Sequence, residues 1–378
     1  MTPSTTLRAA LVGAAALTLA ACGSGGGDTA AAGGPIAVEA KDDACGVARS
    51  EADAGQITFE VSNKGSRVTE FYLYAEGDRI MGEVENISPG LTRRLIVEVP
   101  DGGTYQTSCR PGMTGDGIRA AFTVKGGAAR QVDNDAKLAE AVSSYKTYVA
   151  NQADALDAKT GEFVAAVKAG KVDEAKALFP VARTYWERIE PVAESFGDLD
   201  PRTDAREADL EPGQRWTGFH RLEKDLWVSG LQADSGQIAD TLRADVSEIV
   251  AKAKAVEFTP LDLANGAKGL LDEVATGKIT GEEDAFSHTD LWDFQANVEG
   301  SQAAIASLRP VITERDPALA TTLDEKFAAV TDLLAAQRQG EGFKLYTDLT
   351  DAEKKAFAEA VDALSEPISR VAEVVAQK

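Results

Sequence analysis

Three short segments of the sequence place ligand-type side chains three residues apart. The pairs are His220 with Glu223, Glu187 with Glu190, and Asp290 with Asp293. Each pair lies in a stretch of helical periodicity, where residues three apart share one face and can present two ligands to one cation. One such pair is common by chance, but metal sites in helical bundles combine carboxylates and histidines from several facing helices. The three pairs together therefore predict a metal centre between helices.

The types of donor indicate which metals would fit. The sequence contains two histidines, His220 and His288, so a site of several ligands must be rich in carboxylates. Oxygen ligands with one imidazole suit hard or borderline cations, notably iron, and zinc or copper can occupy such a site as well. The stretch from Asp198 to Asp209 is acidic but loop-like, and we interpret it as a solvated face outside the centre.

The segments that must position these side chains show two different sequence patterns. In residues 36–126, short alternating runs such as Gln56–Val61 are separated by turn clusters, which is typical of a small β-sandwich or barrel. In residues 127–378, long alanine-rich segments have apolar residues at helical spacing, and Thr350 with Glu353 forms a capping-box pattern. We therefore predict a small β domain followed by an all-helical bundle.

Residues 1–22 are typical of a signal peptide rather than of a folded element. A basic start with Arg8 leads into the apolar stretch Ala9–Ala21, which is short for a membrane-spanning helix. The stretch ends in Leu-Ala-Ala-Cys22, which resembles a bacterial lipobox with an acylated cysteine. Residues 23–35 are small and polar and would form a flexible linker. We expect a lipoprotein outside the cytoplasm, periplasmic or at the cell surface, anchored to the cell membrane through Cys22; an ordinary secretory peptide is the alternative.

The charge balance limits the classes of partner. The chain has 61 acidic and 39 basic side chains, a formal net charge of −22. This excess disfavours nucleic acid and anionic lipid surfaces, and it raises the local concentration of cations. A solvated acidic surface would give the same balance, so the charge alone does not indicate a metal site.

Three segments together resemble a known family. They are Tyr-Trp-Glu187-Arg-Ile-Glu190-Pro, Gly-Phe-His220-Arg-Leu-Glu223 and His-Thr-Asp290-Leu-Trp-Asp293-Phe. In this order they resemble the imelysin-like domain of the EfeO family, the extracytoplasmic component of a bacterial iron-uptake system, over about residues 134–378. The resemblance implies that His220 and Glu223 are metal ligands. It also implies further carboxylate ligands on other helices, for which Glu190 and Asp293 are the first candidates.

The resemblance also implies a function and partners. The protein would capture iron and deliver it to an iron permease in the membrane, in a system that includes a haem-dependent peroxidase. The imelysin-like group was once classed among peptidases, so a metallopeptidase is an alternative, and a module that binds a non-metal ligand is another. The sequence has no His-Glu-x-x-His or Gly-x-Ser-x-Gly segment. We therefore favour a binding protein and predict no catalytic residues.

Longer members of that family begin with a cupredoxin-like domain, which the β region resembles in size, position and strand texture. Its residues of interest are Cys45, Glu70, Cys109 and Met113. A cysteine followed closely by methionine resembles the ligand loop of blue-copper folds, but the absence of histidine from this region excludes a blue-copper centre. Two alternatives stay open. Both cysteines join Glu70, with or without Met113, in a metal site whose thiols could couple to metal oxidation, or they form a structural disulfide.

Overall fold

Alternation of buried and exposed side chains builds the first part of the chain into a two-layer β domain. In the strand Gly55–Asn63, Ile57, Phe59 and Val61 are buried, while most residues between them are partly exposed. The computed structural model describes residues 34–127, 135–210, 213–276 and 278–377. The expected signal peptide with Cys22, and nearly all of the expected linker, lie outside the described residues.

The strands form two sheets around one core. They are β1 (Ile36–Ala40), β2 (Cys45–Val47), β3 (Glu51–Asp53), β4 (Gly55–Asn63), β5 (Thr69–Tyr74), β6 (Ile80–Ile87), β7 (Thr92–Val99), β8 (Gly103–Pro111) and β9 (Ile118–Lys125). One sheet has the order β2-β1-β4-β7 and the other the order β3-β9-β8-β5-β6. The ring of Phe59 lies 5.1 Å from that of Phe71 and 5.4 Å from that of Phe122, between centroids. The predicted β-sandwich is confirmed.

Helices dominate the described chain from residue 136 onward. They are α1 (Ala136–Lys168), α2 (Val172–Glu187), α3 (Glu190–Glu194), α4 (Leu199–Asp204), α5 (Phe219–Lys224), α6 (Ser235–Ala255), α7 (Pro260–Thr276), α8 (Asp290–Arg315), α9 (Pro317–Ala336), α10 (Asp351–Ile368) and α11 (Val371–Val375). A short ribbon, β10 (Arg338–Gln339) with β11 (Gly342–Phe343), follows α9. Within the described ranges, no helix is both long enough and apolar enough to cross a membrane. The predicted helical domain is confirmed.

Helix α1 packs against α2, α6 and α8, and α7 packs against α8. Helix α7 also contacts β6 and β7 of the sandwich. There the side-chain amide of Asn265 donates to the carbonyl oxygen of Ile96 (2.9 Å), and the Ile96 side chain belongs to the apolar core of the helical domain. The two domains therefore share a packed interface.

A local signal read from the sequence sets the start of α10. The Thr350 hydroxyl accepts from the backbone N–H of Glu353 (3.3 Å), and the Glu353 carboxylate accepts from the backbone N–H of Thr350 (2.7 Å). The predicted capping box is confirmed.

Candidate metal centre

Helix α5 carries the histidine, and a glycine sets where this helix begins. Gly218 has a φ of +90°, a conformation that residues with a Cβ rarely adopt. A Cβ at this position would lie 2.1 Å from the carbonyl oxygen of Thr203. Glycine therefore lets the start of α5 approach the end of α4, which places His220 beside Asp204.

The Nδ1 atom of His220 is held by a carboxylate on the same helix. It lies 3.0 Å from Glu223 Oε2, and both side chains are fully buried. The other oxygen of Glu223 accepts from the backbone N–H groups of Phe286 (3.0 Å) and Ser287 (2.7 Å). Glu223 is thus fixed by a loop from another part of the chain, and it orients the imidazole as carboxylates beside metal-binding histidines do.

The Nε2 atom of His220 faces two carboxylates without a hydrogen bond to either. It lies 3.6 Å from Asp204 Oδ1 and 3.5 Å from Glu283 Oε1, and it has no hydrogen-bond partner. Ligand atoms of these three residues lie within 4.8 Å of one another. A second possible set, which meets the same criterion, combines His220 with Glu223 and Asp284.

A buried arginine lies among these carboxylates. Arg183 of α2 is fully buried, and its Nε donates to Asp293 Oδ2 at 3.0 Å. Its Nη2 donates to Glu283 Oε1 at 2.7 Å and also to Glu187, and its Nη1 donates to Asp204. Arg183 therefore connects the carboxylates near His220 with those of α2 and α8.

A second buried cation continues the network. The Nζ atom of Lys278 lies 2.8 Å from Glu187 Oε2 and 3.0 Å from Glu190 Oε2. The side-chain amide of Asn297 donates to the same two oxygens, at 3.1 Å each. Glu187 therefore joins this group to Arg183.

Burial and neighbouring charges shift the pKa values of these groups. Burial, and then Arg183, oppose a charge on His220, but the acidic groups led by Glu223 raise its pKa to about 10. Burial and the charge of Glu223 raise the pKa of Asp284 well above its usual value. The raised pKa values reflect a cluster in which, among the described residues, buried carboxylates outnumber buried cations. A metal ion that entered the cluster would supply positive charge in place of protons.

The six residues predicted in the helical domain all lie in this network. Asp290 is the one not described above: its Oδ1 accepts from the backbone N–H of Asp284 at 3.3 Å, and its Oδ2 is buried without a partner. His220 and Glu223 are in direct contact with each other. The other four residues contact Arg183, Lys278 or Asp284, which connect them to this pair.

Sequence reasoning missed three carboxylates of the centre. Interpretation of the stretch from Asp198 to Asp209 as a solvated face is wrong at Asp204, whose side chain is 9% exposed, whereas that of Asp198 is 82% exposed. Glu283 and Asp284 lie in the loop before α8, outside any helical spacing. Their position just ahead of the segment that carries Asp290 is the only sequence signal that could have pointed to them.

In the β domain, the structure does not bring the four predicted residues together. Cys45 of β2 and Cys109 of β8 are joined by a disulfide that links the two sheets. Cys109 faces the sandwich core, whereas Glu70 is paired across the sheet with Arg110, and successive residues of a strand point to opposite faces. Met113 lies in the turn after β8. Of the two alternatives, the structure therefore has the disulfide.

Glu70 instead lines a cavity of about 1220 Å³ between the two domains, together with Asp200 of α4. The Tyr72 hydroxyl lies 2.9 Å from Glu70 Oε2 and 3.1 Å from Glu85 Oε1, and Arg110 pairs with Glu70 at 3.3 Å. Burial raises the pKa of Glu70 to about 7 in spite of Arg110. The cavity is thus a second acidic region, and His220 does not line it.

Comparison with known proteins decides the family. A model of the imelysin family matches residues 141–371, and a model of the cupredoxin-like domain matches residues 9–124. The iron uptake system component EfeO of Escherichia coli O157:H7 is 38% identical over 342 residues, which covers 89% of this chain and 90% of that protein. The protein of the same name from Escherichia coli K12 is 37% identical over the same length. This chain belongs to the EfeO family.

Membership of the EfeO family confirms the resemblance on which the sequence interpretation relied. The β-sandwich is the cupredoxin-like domain, and the helices form the imelysin domain. Among solved structures, a "putative iron-regulated protein A precursor" from Parabacteroides distasonis is 14% identical, with a TM-score of 0.50. The match covers 63% of this chain and 95% of that one, and it supports the fold alone.

Proposed function

We propose that this protein is an extracytoplasmic component of a bacterial iron-uptake system, which binds iron at the His220 centre and delivers it to an iron permease in the membrane. The names of its EfeO relatives support the iron-uptake role. The donor set supports iron as the cargo, because several carboxylates with one imidazole suit hard or borderline cations.

The observation that carries the proposal is the state of His220. Its Nε2 atom is fully buried, has no hydrogen-bond partner and faces Asp204 and Glu283. A buried polar atom without a hydrogen bond is costly, and a bound ion is one way in which such an atom is satisfied in a native protein. We propose that iron binds to Nε2, Asp204 and Glu283, and that Glu223 holds the ring through Nδ1 in the orientation that binding requires.

The location and partners are part of the proposal. A lipid anchor at Cys22 would keep the protein at the membrane, and tethering raises the effective concentration of the iron-loaded protein near a permease. A haem-dependent peroxidase would be the third component of the system. Because the cysteines of the β domain form a disulfide, we assign the iron site to the helical domain alone.

Metal analysis and calorimetric titration with iron test this assignment on residues 35–378, which form one compact unit. The wild-type protein should bind iron, and the His220→Ala, Glu223→Ala double variant should lose at least about tenfold in affinity. His288→Asn is the matched control, because it alters the other histidine, whose φ is +59°, and asparagine tolerates that conformation. Equal iron binding by the wild type and the double variant would remove the His220 centre from the proposal.

A further inference from the structure

Arg183 contacts the same carboxylate oxygens that face His220 Nε2. Its Nη1 donates to Asp204 Oδ1, and its Nη2 donates to Glu283 Oε1 at 2.7 Å. These two oxygens lie 3.6 Å and 3.5 Å from His220 Nε2. The guanidinium and a metal ion at Nε2 would therefore share both oxygens.

This sharing keeps the two cations close to each other. A metal ion bound at a usual metal–oxygen distance to Glu283 Oε1 must lie within about 5 Å of Arg183 Nη2. Arg183, His220 and Glu283 are all buried, so little water would screen the repulsion between the two positive charges. The repulsion is proportional to the charge of the ion, so it opposes a trivalent ion more than a divalent one.

Lys278 provides an internal comparison. It is also a fully buried cation, but its closest ion pairs run to Glu187 and Glu190, at 2.8 and 3.0 Å, and not to the oxygens that face His220. Both buried cations belong to one network. Only Arg183, of these two, donates hydrogen bonds to the carboxylate oxygens of the proposed metal site.

We propose that Arg183 is an affinity-setting residue, an internal cation that competes with the bound metal at Asp204 and Glu283 and weakens the retention of trivalent ions more than that of divalent ions. This inference rests on the proposed function, because it requires the metal to bind at His220. In the metal-free protein, Arg183 holds the carboxylates in place. In the loaded protein, its charge keeps the affinity low enough for the ion to be passed on.

Terbium(III) and zinc(II), each added alone as a redox-inert probe, test the proposal by titration. Arg183→Met should bind terbium(III) at least about tenfold more tightly than the wild type, with a smaller gain for zinc(II). Arg183→Lys keeps the charge and should keep the wild-type ratio of the two affinities. Lys278→Met, the matched control, should change that ratio less than Arg183→Met does.

Loss of Arg183 alone leaves buried carboxylates without their cation and can prevent folding. The Arg183→Met, Asp293→Asn double variant removes the cation together with its Nε partner, so the net charge stays the same. Its reference is Asp293→Asn alone, and relative to that variant the terbium-to-zinc ratio should rise. If neither neutral variant folds, Arg183→Lys tests the proposal by itself. Because lysine keeps the charge, the ratio of terbium to zinc affinity should stay within about threefold of the wild-type value, and a larger change would contradict an effect of charge.

Two outcomes separate this inference from the function on which it rests. An unchanged or lower terbium-to-zinc ratio in the neutral variants would mean that Arg183 only organises the carboxylates, and the inference would be withdrawn. Wild-type protein that binds neither probe, or that binds them no better than His220→Ala does, would instead remove the proposed metal centre.

Discussion

Asp204 supplies a carboxylate with a side chain that is only 9% exposed, from an acidic segment in which Asp198 is largely exposed. Its Oδ2 accepts from the indole N–H of Trp186 at 3.0 Å, which leaves Oδ1 facing His220. Asp204→Asn keeps an acceptor for the indole but removes the negative charge from the centre. We expect iron affinity to fall by about tenfold or more, since loss of an oxygen ligand weakens binding at least as much as loss of an outer partner. Calorimetric titration measures the change.

The control for this prediction lies in the same segment. Asp198 has the same charge but an 82% exposed side chain, so Asp198→Asn should leave the iron affinity within about twofold of wild type, because surface charges are screened by salt. Similar losses in the two variants would indicate that only the overall negative field matters, and not the position of Asp204.

Glu85 gives a prediction about pH. Burial, followed by the charges of Glu70 and Glu83, raises its pKa well above the usual value, and its side chain lies beside the Tyr72 hydroxyl. A glutamate in the unfolded chain has a pKa of about 4.3. The folded state keeps the carboxyl groups of Glu85 and Glu70 protonated to higher pH. The free energy of unfolding is therefore greatest below the unfolded pKa, and it falls as pH rises through the folded pKa values, of which that of Glu70 is about 7.

Glu85→Gln removes the charge that the folded state disfavours and retains an acceptor for Tyr72. The variant should be more stable than wild type at pH 8, by about 1 kcal/mol or more, and the difference should fall towards zero below about pH 4. Thermal unfolding followed across this pH range measures it. Glu76→Gln, at an exposed position of the same domain, should show no such trend, and a parallel trend in both variants would refute the role of burial.

Only part of the centre could be predicted from residue spacing. His220 and Glu223 are three apart on one helix, so their proximity is encoded locally. The approach of Asp204 and Glu283 depends on how separate segments fold together, and no periodicity records it. Arg183 could not be predicted at all, because an arginine on a helix usually faces solvent and its burial depends on carboxylates that are distant in sequence.

At the scale of elements, the contact between α4 and α5 decides where His220 lies. Gly218 and Gly213 both have a φ of +90°, but only at Gly218 would a Cβ meet another atom, Thr203 O at 2.1 Å. Alanine at either position costs about 1 kcal/mol or more for the backbone conformation. We expect Gly218→Ala to push α5 away from Asp204 and to weaken iron binding by about tenfold or more, as loss of a positioning contact does.

Gly213→Ala is the control because it has the same backbone strain without the close contact. Thermal unfolding should show a loss of stability in both variants, and titration with iron should show a loss of affinity in Gly218→Ala only. Normal iron affinity in Gly218→Ala would mean that the close approach of α4 and α5 does not position the histidine.

The sequence predicts elements best where their signals are local. The Thr350 and Glu353 side chains bond to each other's backbone, so three-residue spacing suffices to place the start of α10. In the sandwich, alternation indicates strands, but pairing depends on register, and a shift of one residue exchanges the two faces. The positions of Glu70 and Cys109 on opposite faces therefore could not be obtained from the cysteine spacing.

At the scale of the whole molecule, the charge distribution and the domain interface both bear on the proposed iron binding. The net charge of −22 creates a field that attracts cations to the protein. This attraction is lost as salt rises, whereas the buried ligands are screened much less. In the proposed function, the surface would therefore contribute to the rate of iron capture, and the buried centre would contribute to retention.

The interface joins the stability of the two domains. Ile96 and Val97 are neighbours on β7 with side chains 6% and 1% exposed, but Ile96 packs into the helical core and Val97 into the sandwich core. Replacing either by alanine should cost about 1–4 kcal/mol. A ligand that binds only the helical domain stabilises the sandwich as well, as long as the two domains unfold together.

Calorimetric unfolding with and without bound zinc distinguishes the two positions. In wild type and in Val97→Ala, we expect a single transition that metal moves to higher temperature as a whole. In Ile96→Ala the weakened interface should separate the transitions, so that metal raises only the one for the helical domain. If Ile96→Ala and Val97→Ala give the same profile, the contact of Ile96 with the helical core is not what couples the unfolding of the two domains.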